Sequence, residues 1–170
     1  GVVVYVHTGL NGLGVEPGRP GVDLAKAVAG ADGLNFTGLM TYEGVLLDRP
    51  AEESAGEYRK VIQSVVDTRE TIESEGLAVE TVSVGGTYNY DLAAEMEGVT
   101  EVPAGTYALM DHRYQDARPE FHPAARVIAT VTSRPEQGLM ITDGGQKAIG
   151  ADTGQPSVDN VIAATVKGLS

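Results

Sequence analysis

Residues 79–98 read VETVSVGGTYNYDLAAEMEG, and the order of residue types in this stretch decides the fold class. Val79 to Val84 reads as a strand. Gly85 and Gly86 end it and free the backbone. Thr87 or Asn89 can then cap a helix over 89–96, which Gly98 closes. Strand, glycine loop and helix in that order form one unit of a parallel α/β sheet. Backbone N–H groups at such a loop bind phosphate, and glycine lets a ligand come close. The plain alternative is a turn without a ligand. The position at a strand's C-terminal end, where α/β folds bind ligands, raises the interest of Gly85, Gly86 and Thr87.

The same rhythm runs outward. Val2 to Val6 is a continuous apolar run, the pattern of a strand buried on both faces, followed by a loop with Gly9, Gly12, Gly14 and Pro17. Val22 to Val28 reads as a short helix ended by Gly30, and Phe36 to Met40 as a second strand. Ala51 to Ser74 carries Tyr58, Ile62, Val65, Val66 and Ile72 near helical spacing, an amphipathic helix that Gly76 stops. A fourth strand is expected over Thr106–Met110. After Met110 the rhythm changes. Arg126–Val131 and Leu139–Thr142 read as closely spaced strands suited to antiparallel pairing, and Gly144-Gly145 marks a turn. A complete (β/α)8 TIM-type barrel takes about 250 residues. The fold class is therefore α/β: a partial barrel over 1–112, followed by part of a β-rich domain over 113–170.

Composition excludes several classes. The 170 residues hold 12 Lys+Arg against 24 Asp+Glu, a net charge of −12, which argues against phosphate-backbone binding and hence against nucleic acid. The absence of cysteine excludes a disulfide framework and thiolate metal sites, and fits a cytoplasmic protein. No apolar run approaches the ~20 residues of a membrane span. The first residues lack the basic flank and cleavage site of a signal peptide. The chain opens on Gly1 directly in a strand, so it reads as a piece of something longer.

Further candidates lie at the other strand ends. Ala104-Gly105-Thr106-Tyr107 repeats the glycine–hydroxyl pattern with an aromatic, so Gly105, Thr106 and Tyr107 can join Gly85, Gly86 and Thr87 on one anion; the alternative is a glycine that merely leads a strand. Tyr42-Glu43 follows the second strand. Tyr42 could stack on or hydrogen-bond a ligand that Glu43 orients; otherwise the pair is a snorkelling tyrosine and a solvated glutamate. Asp111, His112, Arg113 and Tyr114 fall where the pattern switches: Asp111 and His112 could bind metal or shuttle protons, and His112 and Arg113 could instead form a salt-bridged hinge. His7 ends the first strand, and Asp143 could cap its turn or reach a ligand. Of the four lysines, Lys26, Lys60, Lys147 and Lys167, none sits inside an apolar strand, where a lysine of lowered pKa is expected.

Four blocks in order now carry a family resemblance. They are His7-Thr8-Gly9-Leu10-Asn11-Gly12-Leu13-Gly14-Val15, Gly38-Leu39-Met40-Thr41-Tyr42-Glu43-Gly44, the stretch Val82 to Tyr114 (VSVGGTYNYDLAAEMEGVTEVPAGTYALMDHRY), and Val131–Pro135 with Ile141–Ala148. Together they resemble the fold-type III pyridoxal-phosphate enzymes of the alanine racemase-like barrel family, in the D-threonine aldolase and D-serine dehydratase-like branch. The third block is the specific one. The resemblance implies that Gly85, Gly86, Thr87, Gly105, Thr106 and Tyr107 hold the phosphate of pyridoxal 5'-phosphate, with Tyr42 near its ring. Asp111 and Tyr114 would lie near the junction with the β domain, and Asp143 within that domain. It implies a lyase of aldolase or dehydratase type on D- or 3-hydroxy amino acids, in a cytoplasmic enzyme of amino-acid metabolism that acts on a small molecule. It leaves room for a homodimer and a divalent metal.

The chain departs from the family pattern at three places: Gly12 stands where relatives have an arginine, His7 where they have an aspartate, and Val45 where they have a histidine. The Schiff-base lysine is expected upstream of Gly1 and the branch's metal ligands downstream of Ser170. No catalytic residue and no metal ligand is therefore assigned within the chain, and residues 1–170 alone are expected to be inactive. The rival readings are a racemase of the same fold, a non-catalytic pyridoxal-phosphate-binding protein, and a barrel for another phosphate compound.

Overall fold

The computed structural model describes residues 1–9, 12–43, 51–110, 112–145, 148–149 and 158, with backbone alone for 51–53, 112 and 113. The chain divides into two compact units, Gly1–Gly105 and Thr106–Ser170.

The first unit is built on three parallel strands in the order β1-β2-β3: Val2–Tyr5, Phe36–Met40 and Thr81–Ser83. Val4 pairs with Leu39, and Leu39 in turn with Val82. All three are buried and form the centre of the core. Helix α1 (Arg19–Ala29) connects β1 to β2, and α2 (Ala51–Ser74) precedes β3. Pro20 stands in the first turn of α1, where its missing N–H leaves no bond unmade. On α2 the apolar positions expected on one face, Tyr58, Ile62, Val65, Val66 and Ile72, are all buried, and the last four pack with Val22 and Ala25 of α1 and the strand valines in one core.

The α/β order of the first unit agrees with the sequence reading; the fourth strand expected just beyond it does not form. Thr106–Met110 is not a strand: Thr106–Ala108 is a single 3-10 turn, closed by the Leu109 N–H on the Thr106 carbonyl at 3.3 Å, with the Met110 N–H on the same oxygen at 2.7 Å. The segment beside β3 is instead 100–101. Glu101 bridges Ser83 in parallel, the Val84 N–H donates to the Glu101 carbonyl at 3.0 Å, and the Thr100 N–H to the Val82 carbonyl at 3.0 Å. Pro103 has no N–H to continue that ladder, which explains why it stops so soon.

Short helix α3 (Tyr90–Glu95) follows β3, with Asn89 at its N-cap position. One close approach inside the sheet admits only glycine. A Cβ on Gly38 of β2 would lie 2.0 Å from the Thr81 carbonyl oxygen of β3.

The second unit holds α4 (His112–Gln115) and an antiparallel pair, β4 (Val131–Glu136) and β5 (Leu139–Thr142). The antiparallel pairing was expected; the position of β4 was not. Residues 126–130 lie outside any strand, and the ladder begins at Val131 opposite Thr142. Glu136 pairs with Leu139 across the two-residue turn Gln137-Gly138, a hairpin connection the sequence reading overlooked. Just outside the ladder, the Thr130 N–H is held by the Asp143 carboxylate at 2.7 Å and the Asp143 N–H donates to the Thr130 carbonyl at 3.1 Å. Asp143 therefore caps the end of the hairpin. No helix among the described residues is long and apolar enough to cross a membrane.

Candidate functional site

The parallel sheet of the first unit places three chain ends side by side: His7 and Thr8 after β1, Thr41–Glu43 after β2, and Val84–Thr87 after β3. These ends are tied laterally. The Thr8 and Thr41 hydroxyls lie 2.5 Å apart in one hydrogen bond, with Thr41 fully buried. The Tyr42 N–H donates to the Tyr5 hydroxyl at 3.2 Å, and the Thr41 N–H to the Ser83 carbonyl at 3.0 Å. His7 Nε2 stands 3.9 Å from Glu16 Oε1.

Gly85 begins the loop after β3 with φ +83°, a left-handed conformation that glycine adopts without penalty. A Cβ there would lie 2.9 Å from the Ala93 Cβ and 3.1 Å from Asn89 Oδ1. The next residue approaches an aromatic ring: a Cβ on Gly86 would meet Tyr42 Cε2 at 3.2 Å. Tyr42 itself is 39% exposed, so its ring borders the loop and still faces outward. Four sequence-predicted residues, Tyr42, Gly85, Gly86 and Thr87, thus come from two strand ends to one place.

Behind them lies a polar pair. Glu43 is 1% exposed and Asn89 5%. The Asn89 Nδ2 amide donates to Glu43 Oε1, and the Gly86 N–H donates to Asn89 Oδ1 at 2.9 Å. Asn89 occupies the N-cap position of α3 but makes no side-chain cap bond; its amide is turned back onto the loop. The expectation that it caps the helix is corrected by these two bonds. Burial pushes the Glu43 carboxyl above its ordinary pKa, outweighing the Asn89 amide and the backbone amides of Glu43 and Gly85, which act the other way. Among the described residues, Glu43 Oε2 has no hydrogen-bond partner.

The bland reading of Glu43 as a solvated residue is therefore wrong, and the signal against it was present. Leu39, Thr41 and Glu43 alternate along one direction of an extended chain, and all three are buried. The Thr8–Thr41 bond carried no comparable signal, because nothing in the sequence relates positions 33 apart.

The remaining candidates belong to other stretches of the chain. Gly105 ends the first unit, and a Cβ on it would meet open space. Thr106 and Tyr107 belong to the second unit, with the Tyr107 ring 5.6 Å from Phe121. Asp111, Val45 and Lys147 lie outside the described residues, as do the side chains of His112 and Arg113.

A parallel sheet whose glycine loop and aromatic ring meet at the carboxyl ends of its strands belongs to the α/β class that binds ligands there. Residues 1–113 match the family described as alanine racemase, N-terminal domain, and residues 124–170 match a putative serine dehydratase domain. The chain belongs to the alanine racemase N-terminal domain family. It is 32% identical over 168 residues to the 3-hydroxy-D-aspartate aldolase of Paracoccus denitrificans, covering 93% of this chain and 43% of that protein. It is also 32% identical over 162 residues to the D-threonine aldolase of Arthrobacter sp., covering 92% and 43%. The crystal structure of D-threonine aldolase from Filomicrobium marinum superposes with a TM-score of 0.86 at 33% identity, over 93% of this chain and 44% of that one. The chain thus spans less than half the length of these relatives.

Proposed function

We propose that this chain is part of a pyridoxal-phosphate-dependent lyase acting on D- or 3-hydroxy amino acids. One observation carries the reading: the glycine loop after β3 is held against the outward-facing Tyr42 after β2, in a chain similar to D-threonine aldolase and 3-hydroxy-D-aspartate aldolase along nearly its whole length. Residues 1–112 would contribute to a barrel that binds the cofactor, and 113–170 to a β-rich domain.

The residues present fit the cofactor. The loop Gly85-Gly86-Thr87 offers a close backbone approach for a phosphate, and a Cβ on Gly86 would intrude where the Tyr42 ring already stands. Helix α3, six residues long, adds little dipole; with the Gly86 N–H already donated to Asn89 Oδ1, the Thr87 N–H and hydroxyl would supply the anion contacts and the two glycines the close approach. Tyr42 would flank the pyridine ring and exclude water from one side. Gly105, Thr106 and Tyr107 are assigned to the same anion on their sequence motif alone. When bound, pyridoxal phosphate supplies an electron sink for breaking a bond at the substrate's Cα. The chain's own residues bind and orient; the proton-transfer groups are not assigned to it. A divalent metal in the whole protein remains part of the proposal, with its ligands outside this chain.

The test uses the full-length protein. Purified with pyridoxal phosphate, it is expected to show a visible cofactor band and to cleave or dehydrate D-threonine or 3-hydroxy-D-aspartate. A band without turnover of either would favour the non-catalytic reading. Interconversion of amino-acid enantiomers would favour the racemase. Absence of any band would defeat the proposal.

A further inference from the structure

We infer that Glu43 is a positioning residue that sets the loop Gly85-Gly86-Thr87 by fixing the orientation of the Asn89 side-chain amide; the inference rests on the phosphate reading proposed above. An asparagine amide has two nearly isosteric ends, one that only donates and one that only accepts. Gly86 presents an N–H, so the loop holds its shape only when Asn89 Oδ1 faces it. A neighbour able to donate and accept would tolerate either orientation. Glu43 Oε1 accepts from Nδ2 and so leaves Oδ1 to accept from Gly86; a carboxylate oxygen there has no proton to give Oδ1 and does not accommodate the flipped amide.

The location is costly for a carboxylate, which argues that the selection matters. Glu43 is almost fully buried, and Oε2 has no hydrogen-bond partner among the described residues. A buried acid with one oxygen unsatisfied is destabilising unless something is gained. What is gained here is one orientation of one amide. Through it the strand end carrying Tyr42 is locked to the glycine loop that follows the neighbouring strand. The same two bonds leave α3 without its side-chain cap, so Asn89 serves the loop at the helix's expense.

The test measures, in the full-length protein, equilibrium affinity for pyridoxal phosphate and for pyridoxal, which lacks the phosphate. Asn89→Asp keeps an acceptor for Gly86 but sets two carboxylates against each other. It is expected to weaken pyridoxal phosphate about ten-fold or more and to leave pyridoxal nearly unchanged, the scale of a lost charge-assisted hydrogen bond. Adding Glu43→Gln to Asn89→Asp reverses donor and acceptor along the same path, because a glutamine amide can donate to the aspartate. Affinity is expected to return to within about three-fold of the parent, well under the energy of one such bond.

If Asn89→Asp alone does not fold, the double variant decides: recovery of both fold and phosphate preference supports the inference, and no recovery overturns it. Variants that lose thermal stability while keeping the parent's preference for the phosphorylated ligand also overturn it. A parent protein with no such preference defeats the phosphate reading itself, a result distinguishable from failure of the relay.

Discussion

Asn89 donates its side-chain amide to the carboxylate of Glu43, 46 positions earlier in the chain. This buried bond joins the end of β2 to the loop after β3, and it makes the loop's shape depend on a group that titrates.

The pH dependence of Glu43 follows from its surroundings. Burial raises its pKa above the ordinary 4.5, so the native chain binds this proton more tightly than the unfolded chain. Below the ordinary value both states are protonated and the carboxylate's burial cost is absent. The cost grows as pH rises from there to the raised native value, and is constant above it. Stability relative to Glu43→Gln should therefore fall across that window and then level off. Urea denaturation of both proteins from about pH 4 to 8 measures it; parallel profiles would contradict the burial argument.

Glu75 should show the opposite sign. Its carboxylate accepts from Lys26 and, at 2.8 Å, from Arg19, both on α1. The Lys26 hydrogen bond is the main cause of its lowered pKa. Its contribution is present above the ordinary 4.5 and is lost as pH falls through the lowered native value. The cluster is solvent-exposed, so Glu75→Gln should have a small effect that vanishes at about 1 M salt, where charges are screened within about 3 Å. An effect unchanged by salt would contradict this.

Gly85→Ala places a Cβ at φ +83° and 2.9 Å from the Ala93 Cβ. Left-handed strain of about 1–2 kcal/mol and overpacking of about 1–3 kcal/mol should both act. The urea midpoint is expected to drop and phosphate preference to fall with it. An unchanged midpoint would show that the loop has room which this geometry denies.

Ile62→Ala tests the core rather than the site. Ile62 is fully buried on α2, and its truncation should cost about 2–5 kcal/mol. The ratio of affinities for pyridoxal phosphate and pyridoxal should not change in the protein that remains folded. A changed ratio would mean that the site is coupled to packing through α2.

Much of the first unit was readable because apolar periodicity reports burial directly. The α2 face marked by Tyr58, Ile62, Val65, Val66 and Ile72 is such a case. Thr106–Met110 misled because a glycine followed by apolar residues resembles a strand entry. The true neighbour of β3, around Thr100 and Glu101, carries polar residues and is cut short by Pro103. In the site, Tyr42 and the Gly85–Thr87 loop stood out through residue type and place. The partnership of Glu43 with Asn89 did not, since it depends on two strands lying side by side. Neither residue's role can be inferred from its own neighbours in sequence.

The sheet of the first unit also sets an order of events for the newborn chain. Val2 meets Phe36, and Gly38 meets Thr81, so each strand pairing encloses a whole helix. During synthesis at about 5–20 residues per second, β1 leaves the ribosome seconds before β2 exists to receive it, and β2 waits longer still for β3. The β4–β5 hairpin, joined by two residues, can close within about 1–10 μs of emerging. Among the described strands, those of the part that holds the glycine loop thus wait longest for one another, and their apolar faces stay open to a chaperone for that time.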